Sequence, residues 1–195
     1  MKPVRLLVLG ALRRRGRAHG HQVRSDLEAW GAHEWSTATS GSVYHALKSM
    51  AGQGLLVTHE TVPSESGGPP RIEYELTDKG EVEYFTLLRG ALAERVPSLD
   101  VLGAAVGLIE DLPREHALRM LRSRARAMHE WRMSITAYLP TDTDLGTWGA
   151  VGEVLSLWLA TADTGAQWTD RLIRRLEQGA FTMAGEAPTP ARPAQ

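Results

Sequence analysis

Apolar side chains in the first fifty residues recur every three or four positions. Val4, Leu7, Val8, Ala11 and Leu12 predict an amphipathic helix over residues 3–15. Gly16 to Gly20 break it. Val23, Leu27 and Trp30 predict a second helix that ends at Gly31. After the polar stretch His33 to Thr39, Ser40 is the expected N-cap of a third helix, because its hydroxyl can accept an early backbone N–H. That helix buries Val43, Leu47 and Met50 and stops at Gly52 or Gly54.

The period then falls to two. Leu55 to Val62 is rich in β-branched residues, and Ile72, Tyr74 and Leu76 alternate with Glu73 and Glu75, as in a strand with one buried face. The Pro63–Pro70 stretch between them reads as a hairpin tip. Three helices followed by a β-hairpin within eighty residues is the winged helix-turn-helix arrangement.

Beyond Thr77-Asp78-Lys79-Gly80 the pattern is helical throughout. Helices are expected over about Asp78–Arg95, over Leu99–Asp111, from Pro113 to a stop at Pro140, and from Leu145 to about Gln178 as one helix or two. Leu118, Leu121, Ala125, Met128, Ile135 and Leu139 form a coiled-coil-like seam broken only by Arg132. The fold class is therefore mainly α, with residues 1–80 as a winged-helix DNA-binding domain (three helices plus a β-hairpin wing) and 81–180 as an all-α dimerisation and effector domain. Residues 181–195 form an Ala/Pro-rich tail expected to be disordered.

A formal net charge of −1 argues against nucleic acid only until its distribution is considered. Residues 1–50 hold eight Lys or Arg against three acids, five charges positive. The third helix turns Ser42, Tyr44, His45 and Lys48 outward, with Ser40 and Gly41 at its start. Side chains so placed reach base edges in a major groove, while the serines and helix-start amides suit phosphate oxygens. Arg71 and His59 are the wing's candidate cations. The expected DNA-contacting set is Ser40, Gly41, Ser42, Tyr44, His45, Lys48 and Arg71.

Ser40-Gly41-Ser42-Val43-Tyr44-His45-Ala46-Leu47-Lys48, then Gly54-Leu55-Leu56, resembles the third helix of PadR-type regulators. Tyr74 to Gly80 resembles that family's end of wing and start of fourth helix. His19-Gly20-His21 resembles its turn before the second helix, with His21 where the family usually has tyrosine. Leu108 to Glu115 resembles the start of its C-terminal helical domain. The resemblance implies a homodimer that represses transcription and releases double-stranded DNA when a small molecule binds. The C-terminal length is similar to the larger subfamily, whose helices build the dimer.

Four of the six tryptophans, Trp131, Trp148, Trp158 and Trp168, lie in the C-terminal half. Such helices can bury a dimer interface or line a cavity for an aromatic ligand. Trp148 and Trp168 fall on nearly opposite sides of one continuous helix, whereas Trp158 and Trp168 are about 80° apart. Met128, Trp131, Trp158 and Trp168 are the expected ligand-binding residues. Arg119, Arg122, Arg124 and Arg126 read as a solvated helix face.

Without cysteine, disulfides and thiolate metal sites cannot carry the fold. No apolar run approaches the roughly 20 residues of a membrane helix, and Arg13-Arg14-Arg15 follows Leu6–Leu12 where a secretory signal would have its cleavage site. A cytoplasmic protein without membrane association is expected. No HExxH, phosphate loop or nucleophile elbow is present, so neither enzyme chemistry nor a cofactor is expected. His19-x-His21 is too sparse to specify a metal site. The competing reading is a drug-sequestering or protein-binding module on a winged-helix frame.

Overall fold

The computed structural model describes residues 3–32, 39–60, 72–95, 98–137, 139 and 144–187. They fall in two compact units, residues 1–91 with 97–108, and residues 92–96 with 109–195.

The first unit begins with α1 (Pro3–Arg15). Its sequence period suggested one apolar face, but Leu6 and Leu9 are fully buried along with Val4, Leu7, Val8, Ala11 and Leu12. It is the unit's central helix. Between Arg5 and Arg13 the helix is apolar all round and offers no solvent face. It packs on α2 (Gly20–Ala29), on α3 (Ser40–Gly52), on α5 (Leu99–Gly107) and on strand β3 (Ile72–Leu76).

The glycine-flanked break after α1 contains a strand that the sequence did not predict, β1 (Arg17–His19). It pairs antiparallel with β3, whose other edge takes β2 (Leu56–Glu60), so the wing stem is a three-stranded sheet in the order β1-β3-β2. Three residues carry too short a period to read in sequence; the open edge of β3 supplies the pairing. Helix α2 then starts at Gly20, earlier than its apolar period indicates, because His19 caps it. His19 Nδ1 accepts from Gln22 N at 3.2 Å, and His19 N donates to Gln22 Oε1 at 3.0 Å. This is a capping box built on imidazole. Helix α3 likewise starts one residue differently: its N-cap is Thr39, whose Oγ1 accepts from Ser42 N at 3.3 Å, and Ser40 is the first helical residue.

The wing stem leads into α4 (Asp78–Ala93), which holds the stem by close backbone contact. Thr77 N donates to the Leu55 carbonyl at 3.1 Å, and Thr77 Oγ1 accepts from Gly80 N at 3.1 Å. A Cβ on Gly80 would lie 2.2 Å from that Leu55 oxygen, so only glycine lets α4 begin there. The wing tip, residues 61–71, and the loop 33–38 lie outside the described residues.

The described part of the second unit is helical. A 3-10 turn, Ile109–Asp111, precedes α6 (Arg114–Thr136), and another, Leu145–Trp148, precedes α7, a single helix from Gly149 to Glu177. Leu139 lies beyond the end of α6 and is half-buried, but the predicted seam is buried as far as Ile135, with Leu118, Leu121, Ala125, Met128 and Ile135 all under a tenth exposed. They pack against α7 of the same chain, not a second chain. Arg132, the break in the seam, reaches Asp163 at 2.7 Å, and Arg122 reaches Glu177 at 2.7 Å. Of the arginine run expected in solvent, Arg124 is buried instead. It donates to Thr169 Oγ1 at 3.2 Å and to the Glu94 carbonyl, which answers the cost of burying a guanidinium.

Residues 181–187, which composition assigned to the disordered tail, are part of this unit. Ala184 N donates to the Leu112 carbonyl at 3.2 Å, and Met183 is buried. Arg114 gathers the segment: its guanidinium donates to the carbonyls of Ala180 (3.1 Å) and Phe181 (2.9 Å) and pairs with the Glu186 carboxylate at 2.6 Å. Those bonds, and then the Met183 amide, hold the Glu186 carboxyl down at about 2. A carboxyl depressed in the folded state stabilises above its ordinary value near 4.5 and loses that contribution as pH falls towards 2. Thermal melts of wild type and Glu186→Gln should therefore differ most at pH 6–7 and converge between about pH 4.5 and 2. A Tm gap that does not shrink with acid would show that the clasp does not depend on this charge.

Candidate DNA-recognition face

Helices α2 and α3 form the helix-turn-helix. Val43, Leu47 and Met50 of α3 face the core, so Tyr44, His45 and Lys48 project from its far side. Ser40, Gly41, Tyr44, His45 and Lys48 are exposed and Ser42 is half-buried. Ser42 Oγ donates back to the Thr39 carbonyl at 2.8 Å, so its hydroxyl is turned into the cap. Ser40 Oγ lies 3.5 Å from the Arg24 guanidinium. Tyr44 lays its Cδ1–Cε1 edge over Gly20. Arg71 lies outside the described residues.

The arginines behind the basic bias are mostly paired. Arg5 meets Glu83 at 3.0 Å, Arg13 meets Glu81 at 2.9 Å, Arg15 meets Asp26, and Arg24 meets Glu28 at 3.1 Å. On the outer face of the wing stem, Arg17 and His59 converge on one oxygen of Glu75, each at 2.9 Å. The Arg17 bond first, then His59, pulls the Glu75 carboxyl below its ordinary value. His59, a predicted wing cation, is thus engaged within the sheet. Lys48 has no ion-pair partner among the described residues, and neither has His45. Lys48 therefore carries its charge to solvent on α3, beside Tyr44 and His45, while most of the arginines are neutralised.

The four residues expected to bind a ligand differ in their surroundings. Met128 is buried between α6 and α7, its methyl where a side chain on Gly165 would stand, 1.9 Å from that position. The Arg95 guanidinium lies 4.8 Å from the centre of the Trp131 ring. Trp158 is exposed and Trp168 half-buried on α7. A cleft that the sequence did not indicate lies in the first unit, with a volume of about 240 Å³. Leu7 and Arg14 of α1, Trp30 after α2, Ala104 and Gly107 of α5, and Leu108 line it. Arg14 sits 5.1 Å from the Trp30 ring centre and 3.4 Å from the Gly107 carbonyl. In the sequence Trp30 was only the last apolar position of the second helix, and a cleft wall drawn from three helices has no period to reveal it.

Among the described residues no cluster of three metal-ligating side chains occurs, and no helix is long and apolar enough to cross a membrane.

No curated protein matches this chain. Solved structures similar to it include Bacillus subtilis PadR in complex with operator DNA (19% identity, 90% of this chain and 98% of that chain, TM-score 0.43). Bacillus subtilis PadR in complex with p-coumaric acid is also similar (18% identity, 90% and 99%, TM-score 0.36). A third is smu.1604c from Streptococcus mutans UA159 (17% identity, 92% and 98%, TM-score 0.40). The family model that matches is that of the transcriptional regulator PadR-like family, over residues 8–85, which takes in most of α1, the helix-turn-helix, the wing and the first half of α4. Over that winged-helix segment this chain is similar to the transcriptional regulator PadR-like family.

Proposed function

We propose that this transcriptional regulator binds double-stranded DNA by placing α3 in the major groove, acts as a homodimer, and represses until a small aromatic ligand releases it. The observation that carries DNA binding is the outward face of Tyr44, His45 and Lys48 on a helix whose other side is locked into the core. An exposed cation and two aromatic hydrogen-bonding groups on one helix face suit base edges and phosphates. The helix start supplies the backbone amides of Ser40 and Gly41 to the phosphates. Mobility shift on a fragment of the protein's own upstream region tests this. Lys48→Ala should weaken specific binding by about 1–3 kcal/mol if the lysine reads a base. Wild-type affinity in Tyr44→Ala/Lys48→Ala would remove α3 from the groove.

The dimer reading passes from the α6 seam, already covered within the chain, to the first half of α7. Val151, Val154 and Trp158 are exposed within one arc of that helix, with Leu155 half-buried beside them. A contiguous apolar helix face of this kind suits a second copy by two-fold symmetry. Val154→Asp/Trp158→Asp should convert a dimer to a monomer in light scattering while keeping helical circular dichroism. A dimer that persists at micromolar concentration would place the interface elsewhere.

For the effector, the cleft beside Arg14 and Trp30 offers an apolar wall, an aromatic face and a guanidinium. That chemistry suits a small planar ligand with an anionic end. A ligand releases DNA only by binding the DNA-free arrangement more tightly. In titrations of the DNA complex with aromatic acids, Arg14→Ala or Trp30→Ala should raise the concentration needed for release about tenfold, the loss of one charged hydrogen bond or one stacked ring. If Trp158→Ala and Trp168→Ala raise it instead, the effector sits on α7.

A further inference from the structure

Tyr44 carries a constraint from outside its own helix. Gly20, the first residue of α2, is buried, and a Cβ on it would stand 2.4 Å from Tyr44 Cε1 and 2.9 Å from Cδ1. Side-chain carbons never approach so closely, so the ring lies flush on the Gly20 Cα. The glycine itself has little room to yield. The residue before it, His19, is fixed twice: its ring caps α2 through Gln22, and its backbone pairs with Glu73 in the wing stem. The first turn of α2, the wing stem and the α3 side chain therefore meet at one point. Part of the Tyr44 side chain remains open to solvent, since the residue is 45% exposed.

We propose that Gly20 is a positioning residue for DNA recognition, whose missing side chain seats the Tyr44 ring and so fixes where its hydroxyl meets the DNA. This rests on the assignment of α3 as the DNA-reading helix. A tyrosine has two side-chain torsions, and a ring pinned along one edge loses most of that freedom before DNA arrives. Less ordering then remains to be done on binding. A methyl at position 20 must lift the ring, because the cap and strand hold the backbone beneath it. The hydroxyl is displaced with the ring, while no charged group on the DNA-binding face changes.

The test is a double-mutant cycle on the full chain with Gly20→Ala, Tyr44→Ala and the pair. DNA affinity is read by mobility shift on the upstream fragment, and Tm is read without DNA. Gly20→Ala should weaken specific binding about tenfold or more and leave the salt dependence unchanged, since no phosphate contact is lost. In the Tyr44→Ala background the same substitution should weaken binding less than twofold, because no ring remains to be lifted. Multiplying effects, with the same fold-loss in both backgrounds, would mean that Gly20 acts through α2 alone and would overturn the proposal. So would wild-type affinity in Gly20→Ala. Tm reads the contact independently of DNA. The Tm loss of Gly20→Ala should be largely recovered in the pair, and no recovery would refute the seating of the ring. If wild type shifts no DNA while the Tm coupling stands, the DNA-reading assignment fails and the ring contact survives it.

Discussion

Helix α1 has no polar face, and the first unit is the consequence. Leu6 and Leu9 are as deeply buried as Leu7 and Leu12, so the helix must be covered on every side. Fully burying a leucine is worth about 1.5–3 kcal/mol, and no single neighbouring helix can cover four that point in different directions. The cover is shared among α2, α3, α5 and the edge of the sheet. That requirement fixes which side of α3 faces inward. Once Val43, Leu47 and Met50 are committed to α1 and its neighbours, Tyr44, His45 and Lys48 have nowhere to point but out.

Charge is distributed by the same geometry. The polar ends of α1 are arginines, and α4 and α2 bring carboxylates to them: Glu83 to Arg5, Glu81 to Arg13, Asp26 to Arg15. Each pair lies at or near the surface, where its own contribution to stability is small. Their larger effect is on the field. They neutralise most of the arginines that make the composition basic and leave Lys48 on α3 with no carboxylate partner among the described residues. The Arg17–Glu75–His59 node does the same on the wing stem.

In the second unit, packing and exposure are divided along α7. Its second half closes over the α6 seam, with Gly165 admitting Met128 and Thr169 meeting Arg124. Its first half leaves Val151, Val154 and Trp158 in solvent. A helix apolar on one face over twenty-nine residues, but covered over only part of that length, has a surface remaining for another partner.

The sequence alone determined where helices and the two longer strands lie, because those elements repeat their apolar period for long enough to be read. It determined the outward face of α3 for the same reason, since three buried positions place Tyr44, His45 and Lys48 opposite them. Short elements carry no such period. Strand β1 exists because β3 had an unpaired edge, and residues 181–187 are ordered because Arg114 meets their carbonyls and Glu186. Which helix the seam covers was equally silent, as an apolar stripe specifies burial and not the chain that provides it. The Arg14–Trp30 cleft and the seat of Tyr44 on Gly20 belong to this second kind. Each joins residues from different helices, and only the tertiary packing brings those helices within contact.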